Sequence, residues 1–229
     1  MLALKLGISL PSLSTTWSPI DESSLEAWYQ WRTGLTYTGG LAPQVSKWED
    51  RSTNGFDMVQ TTDSEQPNLD TTTYELTFVA EDDNNLQTAG TDQITLTGDF
   101  SIGIRCYPTD FNNVIIADNT SSNEFFKFTS GTNLRVRIGG STANIELDSG
   151  SFGDMYVLIT RASNVLTLYH NGVRQTGSTP TLSGTALIDA IGVRATDLNA
   201  YSGDIKEIQI YSSTSSTLTA AINARLATL

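Results

Sequence analysis

One stretch restricts the fold of this chain more than any other: Met155-Tyr-Val-Leu-Ile-Thr-Arg161, followed closely by Asn164-Val-Leu-Thr-Leu-Tyr-His-Asn-Gly-Val-Arg174. Both runs are rich in aliphatic and β-branched residues, and Asn171-Gly172 is a pair that accepts the positive φ angles of a type I′ turn. Alternation assigns the faces. Val165, Thr167 and Tyr169 point one way and Leu166, Leu168 and His170 the other, so each strand has a side that must be buried. A lone hairpin is not stable in water, so the rest of the chain has to supply strands that cover it.

It does so repeatedly. Phe100, Ile102, Ile104 and Cys106 alternate in a longer run, and shorter strand-like runs fall at residues 71–79, 114–117, 124–128, 133–138, 144–147, 186–193 and 204–211. Residues 25–31 also fit a first strand, with Leu25, Ala27, Tyr29 and Trp31 on one parity and Trp28 on the other. Short strands separated by turn residues predict an antiparallel two-sheet sandwich of about a dozen strands. The period changes only at the end, where Leu218, Ala221, Ile222, Leu226 and Leu229 take helical spacing behind Thr219, a candidate N-cap.

A chain of 229 residues with 17% charged residues suits one large all-β domain. Thirteen Lys and Arg face 25 Asp and Glu, a formal charge of −12, which argues against a broad electrostatic grip on nucleic acid or an anionic membrane. No run reaches the ~20 apolar residues of a membrane span. Cys106 is the single cysteine, so no internal disulfide is available, and its place in an alternating strand makes it a core residue rather than a nucleophile. Residues 1–13 lack a continuous apolar stretch and a small-residue cleavage pattern, so they are not expected to be a signal peptide.

Three blocks carry a resemblance. Thr167-Leu-Tyr-His-Asn-Gly172 is similar to a hairpin of concanavalin A-like, laminin-G-type jelly rolls. Val45-Ser-Lys-Trp48-Glu-Asp50-Arg-Ser-Thr-Asn54-Gly55, closed by Gln66-Pro67, resembles an early segment of that family, and Gly203-Asp-Ile-Lys-Glu207-Ile-Gln-Ile-Tyr211 resembles its closing strand. The resemblance runs from Leu25 to Leu229. It implies a jelly-roll sandwich with a short C-terminal helix over residues 20–229, preceded by an arm and linker at 1–19, and it implies that Trp48 is a core residue.

Within the arm, Leu2, Leu4, Leu6, Ile8 and Leu10 alternate strictly with Ala3, Lys5, Gly7 and Ser9. Such a strand has one greasy face and unpaired backbone groups, which a partner sheet would satisfy. With the resemblance to laminin-G-type domains of tailed-phage virions, this gives the first functional expectation: a non-enzymatic virion protein. It would decorate the capsid, anchored by those five residues to the major capsid protein or to neighbouring copies at the virion surface. The alternative is a carbohydrate-binding adhesin or extracellular lectin-like module, with Trp31, Tyr37, Tyr107 and Tyr201 as candidate saccharide contacts.

Enzymatic chemistry finds little footing. Some relatives of the fold are glucanases bearing Glu-x-Asp-x-x-Glu, but Glu146-Leu147-Asp148 is followed by Ser149, Gly150 and Ser151, so the third carboxylate is missing and a glycoside hydrolase is only a third reading. The single histidine, His170, is expected at a strand end on the surface. No cofactor or metal is expected, and the acidic run at residues 81–85 reads as a solvated turn rather than a calcium loop.

Overall fold

A computed structural model describes residues 17–120, 125–193 and 200–229. The five aliphatic residues expected to anchor the arm lie outside them. In chain order the first strands are β1 (Leu25–Tyr29), β2 (Leu35–Tyr37), β3 (Val45–Trp48), β4 (Met58–Val59), β5 (Asn68–Leu69), β6 (Leu76–Phe78), β7 (Leu86–Thr88) and β8 (Ile94–Leu96). There follow β9 (Phe100–Pro108), β10 (Asn113–Ala117), β11 (Phe125–Phe128), β12 (Asn133–Ile138), β13 (Ser141–Glu146) and β14 (Met155–Ala162). The last are β15 (Val165–His170), β16 (Val173–Arg174), β17 (Ala186–Ile188), β18 (Ala190–Ile191) and β19 (Gly203–Tyr211), and the helix α1 (Ser216–Leu226) ends the chain.

The strands form two antiparallel sheets packed as a jelly-roll sandwich. One has eight strands in the order β16-β15-β14-β9-β19-β6-β5, with β1 also paired to β19, and the other has nine in the order β13-β12-β11-β10-β18-β7-β4-β3-β2. The hairpin that opened the sequence reading lies in the eight-stranded sheet. Two residues at positive φ, Asn171 (50°) and Gly172 (77°), reverse the chain between β15 and β16, as the Asn-Gly pair requires. Ser163 (49°) and Asn164 (69°) do the same between β14 and β15, so Asn164 belongs to a turn rather than to the strand.

Alternation decides what each sheet buries. Phe100, Ile102, Ile104 and Cys106 of β9 meet Phe126, Phe128, Leu134, Val136 and Ile138 from β11 and β12 in one core. Phe100 and Phe126 touch edge to face at 6.2 Å, a favoured aromatic geometry. Trp48 is fully buried there beside Tyr29. A two-stranded piece, β8 with β17, closes one end of the sandwich. Buried Arg161 ties that piece down through the carbonyls of Gly98 and Gly184 and lies over the Phe100 ring.

A second, smaller cluster lies on the outer face of the eight-stranded sheet. There Leu218, Ile222 and Leu226 of α1 pack on Leu25, Trp28, Leu158 and Tyr211. Leu25 reaches this side because a bulge at Glu26 shifts the register with β19, so Leu25 does not share a face with Ala27 and Tyr29 as strict alternation expects. Gly103 makes the docking feasible, since a Cβ there would stand 2.6 Å from Ile222 Cγ2. Trp17 packs at the margin of this cluster and donates its indole N–H to Glu22.

Several local expectations are corrected. The helix is capped by Ser215, whose hydroxyl accepts from the Leu218 amide at 3.0 Å, so Thr219 lies one turn inside it. The run 71–79 is strand only at its end: the Asp70 carboxylate binds the amides of Thr72 and Thr73 and holds a turn there. The run 186–193 breaks at Asp189, whose carboxylate accepts from the Asn119 amide. In the 81–85 turn Asn84 and Asn85 are buried, with Asn84 accepting from the Val79 amide. His170 does end a strand, as expected, but it is half-buried rather than fully on the surface. It shares the inner parity of Leu166 and Leu168 and packs edge-on to Phe152 at 5.7 Å, and burial holds its imidazole below the usual range.

Candidate saccharide-binding face

The outer surface of β11, β12 and β13 is built by the same alternation that builds the core. In Asn133-Leu-Arg-Val-Arg-Ile138, Leu134, Val136 and Ile138 turn inward, so Arg135 and Arg137 must turn outward. Register then aligns the neighbours: Lys127 lies opposite Arg135 from one side, while Asn144 and Thr142 lie opposite Arg135 and Arg137 from the other. Along β13 the outward parity continues through Thr142, Asn144 and Glu146, all exposed, and onward to Asp148. From Thr142 to Asp148 this strip spans about 20 Å at ~3.4 Å per residue.

Its hydrogen bonding is only partly used. Arg135 Nε donates to Asn144 Oδ1 at 2.9 Å. Arg137 Nε is buried and has no hydrogen-bond partner among the described residues. Ser178 donates to the Asn144 carbonyl and so holds a loop against β13. Beyond Asn144 the strip runs into a cleft of about 480 Å³ lined by Glu146, Leu147, Asp148, Thr176 and Gly177.

Asp148 is the keystone of that cleft. One carboxylate oxygen accepts from the amide and hydroxyl of Thr176 at 2.7 and 3.0 Å, and the other accepts from the Gly177 amide at 2.7 Å. These donors stabilise the ionised form and hold the carboxyl below the usual aspartate range. The residue that looked like half of a glycosidase pair is therefore occupied in fixing a loop. Among the described residues, no group of three or more His, Cys, Asp or Glu is placed to hold a metal ion.

The four aromatic residues expected to contact saccharide do not come together. Tyr201 is fully buried in the core against Phe78, and burial pushes its phenol well above the usual range, so it presents no surface. Trp31 is half-buried; its indole N–H donates to the Thr73 carbonyl and the Arg32 guanidinium covers its ring at 4.0 Å. Tyr107 is 44% exposed on the outer side of the eight-stranded sheet, opposite Asp204. Tyr37 is 45% exposed on β2, the edge of the other sheet. The sequence reading passed over Arg135, Arg137 and Asn144. The parity of the two arginines was legible in the alternation of 133–138, whereas Asn144 needed the register of β12 with β13.

An antiparallel two-sheet sandwich of this topology with a terminal helix is a jelly roll. A model of the concanavalin A-like lectin/glucanase superfamily matches residues 80–221, more than half of the chain, and the chain belongs to that superfamily. No curated protein matches. Among solved structures, a mutant Trypanosoma rangeli sialidase displaying trans-sialidase activity is 12% identical, with a TM-score of 0.53 over 91% of this chain and 33% of its own. T. rangeli sialidase in complex with 2,3-difluorosialic acid is 11% identical, also at 0.53, over 91% and 34%. The CBM40 of Ruminococcus gnavus IT-sialidase, bound to α2,3-sialyllactose, is 14% identical at a TM-score of 0.43, over 57% and 83%. This chain thus spans about a third of the two trypanosomal sialidase chains, and at such identities the likeness is one of fold.

Proposed function

We propose that this protein is a non-catalytic saccharide-binding domain whose ligand lies along the β12–β13 strip and enters the cleft beside Asp148. The observation that carries the reading is the strip itself. Arg135, Arg137, Asn144 and Glu146 share one sheet face, held by the strands beneath them, with donors and acceptors to spare. A polyol is recognised by such an array, because each hydroxyl both donates and accepts. Membership in a lectin-type superfamily supports this, and so does the occupation of Asp148 by three hydrogen bonds, which leaves the cleft without a free carboxyl pair for glycosidic hydrolysis.

Calorimetric titration of the full chain with a panel of oligosaccharides tests it. Saturable binding, weakened roughly tenfold by Arg135→Ala or Glu146→Ala at an unchanged melting transition, is expected. Binding by no member of the panel, or turnover of any member, would sink the reading. Decoration of a virion, by contrast, is supported only by the alternating aliphatic residues Leu2 to Leu10. It stands if replacing Leu4, Leu6 and Ile8 with Ser releases the protein from purified particles without lowering its melting transition.

A further inference from the structure

Several of the described cations have a carboxylate partner. Lys47, Arg51, Arg105, Lys206 and Arg225 pair with Asp57, Glu49, Asp154, Glu75 and Glu207 at 2.5 to 3.1 Å. The two β12 arginines have none among the described residues. Arg135 has a neutral amide as its partner, and Arg137 makes no hydrogen bond or ion pair with any described residue although its Nε is buried. The two guanidinium groups sit two residues apart on one face, and Lys127 stands directly opposite Arg135. A buried donor without an acceptor costs stability. Yet no carboxylate of the described residues is paired with either arginine.

We infer that Arg135 and Arg137 receive the carboxylate of an acidic saccharide. This rests on the saccharide reading of the face and adds the ligand's class. A guanidinium is a planar fork that matches a carboxylate with two parallel hydrogen bonds, and such an anion would meet the charge of Arg135 and Arg137 that no described carboxylate neutralises. Elsewhere the chain's formal charge of −12 repels an anion, so binding is confined to this local field. The remaining polar groups, Asn144, Thr142 and Glu146, face the sugar hydroxyls along the strip.

The test titrates the full chain with oligogalacturonate and with hyaluronan oligosaccharides, each beside its carboxyl-reduced neutral form, and with a sulfated oligosaccharide of similar length. At least one carboxylated probe is expected to bind about tenfold or more tightly than its reduced form, and to weaken as salt is raised. Arg135→Gln and Arg137→Gln should erase that preference, Arg137→Lys should restore only part of it, and Arg174→Gln on β16 should leave it intact. Melting curves of each variant exclude misfolding as the cause. Equal binding of carboxylated and reduced forms overturns the inference while leaving the saccharide reading standing, and equal binding of the sulfated probe overturns the carboxylate assignment. If neither charged nor neutral saccharide binds, both readings fall.

Discussion

The two outer faces of this sandwich start from the same pleated template and solve opposite problems. On the eight-stranded sheet, α1 lies over Leu25, Trp28, Leu158 and Tyr211, and the buried carboxylate beside it, Glu207, is matched. Glu207, fully buried, takes Arg225 on both oxygens at 2.5 and 2.8 Å, and also the Gln209 amide and the Trp31 backbone N–H. Tyr211 in turn donates to Gln209, so the network is closed. On the nine-stranded sheet, Arg135 and Arg137 carry charge without a carboxylate partner among the described residues. A covered face does not tolerate an unmatched ion, because desolvation goes uncompensated there; an open face keeps its charge hydrated and, on the reading proposed above, free for a ligand.

The contrast is sharpest if one arginine is removed from each face. Arg225→Ala leaves Glu207 ionised and buried without its fork, so about 3–5 kcal/mol of stability should be lost in chemical denaturation. Arg135→Ala should change stability by no more than about 0.5 kcal/mol. Similar losses at the two sites would break the distinction between a structural and a recognition face.

Next in size are two glycines on the covered side. Gly103→Val places side-chain atoms where Ile222 and Leu226 sit, at 2.6 and 3.0 Å from the new Cβ, so α1 must shift and about 1–3 kcal/mol should be lost. Gly172→Val forces a β-branched residue to φ 77° with its Cβ 3.0 Å from the Tyr156 hydroxyl, which should cost roughly 1–2 kcal/mol. Denaturation midpoints measure both. An unshifted midpoint for Gly103→Val would mean that the helix is loosely held and that the covered face is not a packed one.

How much of this was legible in the sequence depends on whether one strand sufficed. The inner parities of β9, β12 and β15 followed from alternation, and so did the Asn171-Gly172 turn. The Glu26 bulge and the one between Ile205 and Glu207 were not legible, because a bulge exists only relative to a partner strand. They decide that Leu25 and Glu207 meet the helix. Tyr201 was expected among the saccharide contacts, but it is buried in the core beside Gly203, whose φ of 139° and close approach to the Tyr107 carbonyl admit no side chain. The helix cap was misplaced because Ser215 and Thr219 are both good caps, and only the path of the chain leaving β19 selects one. On the recognition face the cations were readable, whereas their lack of carboxylates required every cross-strand neighbour to be known.

The smallest expected effect is at Asp148, and it asks whether the loop bordering the recognition face is held electrostatically. In the folded chain its carboxyl lies below the usual aspartate range because the Thr176 and Gly177 amides donate to the ionised form. In the unfolded chain it returns to about 3.9. A folded value below the unfolded one means that the unfolded state binds the proton first as pH falls. The stabilisation is therefore complete above about pH 4 and is lost as pH drops through the folded value. Amide shifts of Thr176 and Gly177, followed by NMR during acid titration, should move together, with a midpoint below that of an exposed aspartate. The amides of α1 should not follow the same transition, since Asp148 makes no contact with the helix that would carry it there. A midpoint at the ordinary aspartate value would show that the three hydrogen bonds do not favour the ionised form, and that shape rather than charge keeps the loop against β13.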